Sequence, residues 1–325
     1  MDKRIVSLLP SCTEIICKLG YRENLVGISH ECDYPNSISG LPVLTKARLS
    51  SKGTSIEINQ SVTDLLQRGL SVYDVDASLL KSLSPDIIVT QAQCEACAVS
   101  LDQVQDIVSN WTLNKTEIIS LEPNTLNEVW LGFDIIAKTM DAPESSSILK
   151  SEINERFKLL KDKLKGTEQK PAVLCIEWIE PIMVAANWVP ELVGLAGGRN
   201  VMSVSGTDSN FCSWDEIKKT NPDIIIMMPC GFGIKRTLED IDYLQNRKGW
   251  QELKAVKENK VFVVDGNQYF NRPGPRLVDS AEILAEVIHP EYFERKYPED
   301  AWITIDLSLI HISEPTRRYA RSYAV

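Results

Sequence analysis

The sequence predicts an α/β protein of two Rossmann-like lobes, each on a parallel sheet, bridged by one long rigid helix, with the ligand cleft between the lobes. Three observations predict it. Short apolar runs of strand length alternate with segments of helical periodicity, the pattern of parallel sheets. The pattern occurs twice: Leu83-Ser84-Pro85-Asp86-Ile87-Ile88-Val89 is echoed by Thr220-Asn221-Pro222-Asp223-Ile224-Ile225-Ile226, each setting a Pro-Asp step before a buried strand. Between the copies, residues 147–165 are amphipathic and contain no Gly or Pro.

The elements follow in order. Residues 4–9 are a strand, and 13–19 a helix capped by Ser11 and Gly20. Residues 25–28, 86–90 and 117–121 are apolar strands. Residues 126–140 repeat apolar side chains at helical spacing. The long helix puts Ile148, Leu149, Ile153, Phe157, Leu160 and Leu164 on one face, and Gly166 and Pro171 end it. The second half restarts with a strand at 172–176, a helix at 189–196 stopped by Gly197-Gly198, and a short helix at 214–219. Strands at 223–228 and 260–264 follow, then a helix at 277–288 stopped by His289-Pro290. The 325 residues suit about two domains. The expected boundaries are an N-terminal lobe over 1–142, the bridging helix over 143–168, a C-terminal lobe over 169–300 and a tail over 301–325.

Composition narrows the function. Hydrophobic residues at 43% and charged residues at 25% are ordinary for a soluble globular chain. The net charge of −10 argues against nucleic acid or an anionic membrane surface as partner. No stretch approaches the ~20 apolar residues of a membrane span. Residues 1–9 lack the features of a signal segment, so a cytoplasmic, monomeric protein is expected. No dinucleotide fingerprint, Gly-Lys-Ser/Thr or G-x-S-x-G elbow is present, and three histidines leave few acid–base candidates.

Ligands of such sheets bind at the carboxyl ends of strands. The segments there gather Cys, His, aromatic and amide residues: 29–35, 91–97, 177–181, 229–233 and 265–269. The last leads into Tyr269-Phe270-Asn271-Arg272-Pro273-Gly274-Pro275-Arg276, a proline-stiffened loop with two fork-shaped donors. Cys94-x-x-Cys97 has a metal or redox spacing, and His30 with Cys32 would complete a soft four-ligand site for zinc or iron. Two half-buried cysteines at a helix start explain the same pair.

The residues then resemble a known family. Ser11-Cys12-Thr13-Glu14, Val26-Gly27-Ile28-Ser29, Asp33-Tyr34-Pro35 and the segments at 85–88, 192–201, 221–225 and 250–257 resemble the cobalamin and iron-siderophore substrate-binding proteins of ABC importers. The likeness covers residues 4–290. It is nearest to the branch called cobalamin-binding protein, on His30-Glu31-Cys32-Asp33-Tyr34-Pro35, Gln93-Cys94-Glu95-Ala96-Cys97 and residues 271–276. The resemblance implies a non-catalytic protein that captures a corrinoid such as cobalamin, or a similar metal chelate, and hands it to an ABC permease or another acceptor. Tyr34, Trp178, Trp188, Phe232 and Tyr269 would then form apolar walls. Gln91, Gln93, Glu180, Asn271, Arg272 and Arg276 would supply polar contacts, and His30 would be placed to reach cobalt. Two other readings remain: a cytosolic metal or redox protein or enzyme using His30, Cys32, Cys94 and Cys97, and an exported importer component whose signal segment is missing. Residues 307–325 resemble translated adapter read-through and are expected to be non-native.

Overall fold

Buried apolar runs form the strands, and the computed structural model describes residues 3–49, 52–67, 71–91, 101–109, 116–167 and 170–305. The N-terminal lobe contains β1 (Ile5–Ser7), β2 (Leu25–Ile28), β3 (Thr45–Ala47), β4 (Tyr73–Val75), β5 (Ile87–Gln91) and β6 (Glu117–Leu121). Its main sheet has the order β2-β1-β5-β6 and is parallel throughout. Parallel strands are covered on both faces, which is why Ile87-Ile88-Val89 reads as an unbroken apolar run. β3 and β4 pair separately as an antiparallel ladder. The helices are α1 (Pro10–Lys18), α2 (Ser55–Gln67), α3 (Ala77–Leu83), α4 (Leu101–Ser109), α5 (Leu126–Thr139) and the bridging α6 (Pro143–Lys163).

The C-terminal lobe contains β7 (Ala172–Trp178), β8 (Met183–Val184), β9 (Arg199–Asn200), β10 (Asn210–Phe211), β11 (Ile224–Met227), β12 (Val261–Val264) and β13 (Trp302–Thr304). Its helices are α7 (Val189–Leu195), α8 (Trp214–Thr220), α9 (Ile234–Glu239), α10 (Asp242–Gln245), α11 (Lys254–Lys257) and α12 (Leu277–Ile288). The sheet order is β10-β8-β7-β11-β12-β13, with a parallel centre of β7, β11 and β12 and antiparallel edges. β13 pairs with β12, so this sheet takes in residues 302–304, which the sequence assigns to the tail. The rest of the tail, 306–325, lies outside the described residues.

The internal echo has a structural cause. Ser84 and Asn221 both end helices in the left-handed region, at φ 46° and 42°. The prolines that follow cannot continue a helix. The next residue then staples the neighbouring strand: Asp86 Oδ2 accepts from the Arg4 amide and Asp223 Oδ2 from the Ala172 amide, at 2.8 and 2.7 Å.

Helix starts depart from expectation in one place. α1 begins at Pro10 behind Leu9, with no side-chain cap, and Ser11 is buried inside the first turn. Proline at the first helical position has no N–H to leave unsatisfied, so a capping side chain is not needed. α6 likewise begins at Pro143. Leu149, Ile153, Phe157 and Leu160 are buried on it, each contributing about 1.5–3 kcal/mol. Ile148, expected on the same face, is 60% exposed because it points about 100° away from Leu149. One core cluster runs from Ile15 and Phe133 through Leu149 and Phe157 to Val193 and Leu284, so α1, α5, α6, α7 and α12 share it across both lobes. No described helix is long and apolar enough to cross a membrane.

Candidate ligand-binding cleft

The strand carboxyl ends of the two lobes meet through three groups of side chains. In the first, Glu14 of α1 is 1% exposed and takes a bidentate pair from Arg276, at 2.8 Å to Nε and 2.6 Å to Nη2. Arg272 reaches Asp33 at 2.5 and 3.0 Å and Glu14 at 3.3 Å. Burial pushes the Asp33 carboxyl up, but the Arg272 guanidinium outweighs it and holds the group below the usual carboxylate range. Arg276 also lies over the rings of Tyr34 and Tyr269, at 4.3 and 5.5 Å. Tyr34 keeps 38% of its surface exposed. The arginine loop thus spends its donors between the lobes.

The loop holds this position for local reasons. Gly266 packs so closely on β11's exit that a Cβ there would lie 2.3 Å from the Pro229 carbonyl. Asn271 Nδ2 then donates to the Met228 and Gly266 carbonyls, each at 3.0 Å. Burial raises the Asp265 carboxyl, which accepts from the Gln268 amide at 2.7 Å.

The second group lies at the ends of β7 and β11. Trp178 and Phe232 rings are 5.0 Å apart, and Arg236 stacks on Phe232 at 4.2 Å. Residues 53–55 of the N-terminal lobe cover them: Trp178 Nε1 donates to the Ser55 carbonyl, and the Ser55 amide donates to Asp240 Oδ2. The third group is Glu177, Ser209, Asn187 and Asn124. Ser209 Oγ donates to Glu177 at 2.6 Å, and Asn187 Nδ2 crosses to Asn124 at 2.8 Å. Burial pushes the Glu177 carboxyl up to about 7, against the pull of the Ser209 hydrogen bond. Glu177 closes an apolar strand with a charge, and that signal was available in the sequence.

The other expected site residues lie outside these three groups. Trp188 is buried in the shared core, with Nε1 bonded to the Phe270 carbonyl at 2.9 Å. Glu180, in the β7–β8 turn, pairs with Arg247. Gln91 ends β5 and is buried. His30 Nδ1 meets Thr45 Oγ1 at 2.7 Å, its Nε2 lies 3.2 Å from Glu31, and its ring packs on Tyr73. Cys32 Sγ contacts Thr13 Oγ1 at 3.1 Å, and burial pushes its thiol up to about 11. Among the described residues no three His, Cys, Asp or Glu side chains converge to hold a metal, so nothing supports the expected zinc or iron site of His30, Cys32, Cys94 and Cys97, of which only His30 and Cys32 are described. Their side chains are turned to local hydroxyl partners instead. Gln93, Cys94 and Cys97 lie outside the described residues. A cavity of about 370 Å3 lined by Ile224, Lys260, Phe262, His289 and Tyr292 lies at the opposite, amino-terminal edge of the second sheet.

Two α/β lobes joined by one helix, with polar and aromatic groups at facing strand ends, describe a container for a ligand. Residues 5–267 match the family described as periplasmic binding protein. The chain belongs to that family. This binding protein is 24% identical to the uncharacterized ABC transporter substrate-binding lipoprotein YvrC of Bacillus subtilis, over 90% of this chain and 82% of that one. It is 22% identical to the vitamin B12-binding protein of Photorhabdus laumondii, over 88% of each. Its fold superposes on the heme-binding protein RhuT of Roseiflexus with a TM-score of 0.66 at 19% identity, over 90% of this chain and all of that one. The protein is a substrate-binding component.

Proposed function

We propose that the protein captures a corrinoid or a closely related planar metal chelate in the interlobe cleft and passes it to an ABC permease. The observation that carries this reading is the end-to-end likeness to a vitamin B12-binding protein, over 88% of both chains. The geometry supports it. Tyr34 from one lobe and Trp178 from the other keep part of their flat apolar surface exposed beside polar groups, the make-up of a small-molecule site. Heme is the competing chelate, because relatives named for heme share the fold. Hand-over to a permease would require the protein on the importing side of the membrane. The lipoprotein relative fits that placement better than the cytoplasmic one expected from the first residues.

Visible-absorbance titration with hydroxocobalamin, and separately with hemin, tests the reading. Saturable one-to-one binding of hydroxocobalamin with a shifted corrin spectrum is expected. Binding of hemin alone would replace the corrinoid with heme, and binding of neither at micromolar protein would defeat the chelate reading.

A further inference from the structure

We propose that Trp178, Phe232, Arg236 and Asp240 form a subsite for the carboxamide fringe of a corrinoid, and that residues 53–55 occupy it in the free protein. The inference rests on the chelate-binding reading and narrows its ligand class. Three hydrogen bonds define the subsite, and each is made to a backbone amide group of the other lobe. Arg236 Nη2 donates to the Gly53 carbonyl at 2.5 Å. Trp178 Nε1 donates to the Ser55 carbonyl at 3.3 Å. The Ser55 amide donates to Asp240 Oδ2 at 2.8 Å. A peptide group and a primary carboxamide present the same donor and acceptor, so what seats here is an amide mimic.

The charge arrangement selects among chelates. Asp240 is buried and fixed by Arg236 at 3.1 Å, so it needs a donor from whatever sits opposite. A carboxamide edge supplies that donor and also the acceptors for Arg236 and Trp178. A carboxylate edge supplies acceptors only and sets a second negative charge beside a buried one. Phe232, stacked between Trp178 and Arg236, supplies the apolar floor for a ring edge.

The chain's own hold on the subsite is incomplete. Ser55 Oγ is buried without a hydrogen-bond partner, and Arg236 Nη1 makes no hydrogen bond, only an ion pair with Glu239 at 3.7 Å; desolvated groups left unpaired weaken the contact that buries them. A ligand that takes Arg236 Nη2 from the Gly53 carbonyl competes directly with residues 53–55. Asp240 otherwise serves as the anionic partner for the first turn of α2, whose leading amides have no partner inside the helix.

The experiment compares dicyanocobinamide, whose peripheral chains are amides, with dicyanocobyrinic acid, whose chains are carboxylates. Affinities come from absorbance titration, and hydrogen exchange of residues 53–58 is followed with and without each. Cobinamide is expected to bind at least tenfold tighter and to unprotect the amides at 55–58. Asp240→Ala is expected to abolish that preference. Ser55→Pro removes the same donor at a helix position that tolerates proline. It is expected to strengthen cobinamide binding, which keeps the test open if Asp240→Ala folds poorly. Cobinamide binding with residues 55–58 still protected, or equal affinity for the two corrins, overturns the subsite and leaves the chelate reading standing. Failure of cobinamide, hydroxocobalamin and hemin alike to bind defeats that reading, and the subsite with it.

Discussion

Glu177, half-buried, and Glu14, fully buried, show how differently two carboxylates near the lobe interface are handled. Glu177 is stabilised by a hydroxyl and titrates near 7, above its ordinary 4.5. The native state then binds more protons than the unfolded chain between these values. Its contribution to stability therefore falls as pH rises from about 4.5 to about 7, and is level above that. Glu177→Gln should remove this slope and stabilise the protein at pH 8 by up to about 2 kcal/mol. Urea unfolding of both proteins at pH 5 and pH 8 measures it, and an unchanged difference between the two pH values would refute it. Glu14 is instead paired with two guanidinium groups. Arg276→Ala leaves that carboxylate buried with one cation, at a cost of about 3–5 kcal/mol in urea unfolding. A loss under about 1 kcal/mol would mean that water reaches Glu14. The donor chemistry of residues 269–276 was legible in the sequence. Its target was not, because Glu14 lies 262 residues from Arg276 and only the fold brings them together.

At the scale of elements, what could be read was what local chemistry decides. The strands, the bridging helix and the Pro-Asp echo depend on neighbours in sequence. α2 was missed although its start was legible: Thr54-Ser55-Ile56-Glu57 is a capping box, the Glu57 amide donating to Thr54 Oγ1 at 3.3 Å and the Thr54 amide to Glu57 Oε2 at 2.8 Å. Only the Ser55 amide's partner, Asp240, lies far off, 185 residues away. β3 and β4 are three residues each and only partly covered, so they show no apolar run. α6 is tied to α12 and the C-terminal segment by Arg156, which reaches Asp279 at 2.5 Å, Glu282 at 2.8 Å and Tyr297 at 3.1 Å. Burial raises the Glu282 carboxyl, but Arg156, Lys296 and Tyr297 outweigh it and bring it down to about 2. That stabilisation is complete above about 4.5 and is lost as pH falls toward 2. Arg156→Ala should cost about 1–2 kcal/mol at pH 7, discounted for its partial exposure. It should also shrink the loss of stability between pH 5 and pH 3. Thermal unfolding at the three pH values checks both, and an acid slope equal to the wild type's would remove Glu282 from the account.

For the whole molecule, the shared core of α1, α5, α6, α7 and α12 opposes a wide hinge motion. Ligand saturation should leave the radius of gyration unchanged within error, with rearrangement confined to contacts such as Ser55 on Asp240. Small-angle scattering with and without hydroxocobalamin measures this, and a clear contraction would show that the lobes close as bodies. The two-lobed plan was legible because a sequence repeats its own grammar. The lobes' mutual contacts were not, because they are made by single side chains with no periodicity. The claim on which the account rests is that both lobes grip one chelate. Calorimetric titration of hydroxocobalamin into wild type, Tyr34→Ala and Trp178→Ala tests it most directly. Each substitution should weaken binding by about tenfold or more, on the order of 1.4 kcal/mol, with folding unchanged. Full affinity retained in either variant would contradict a site shared between the lobes.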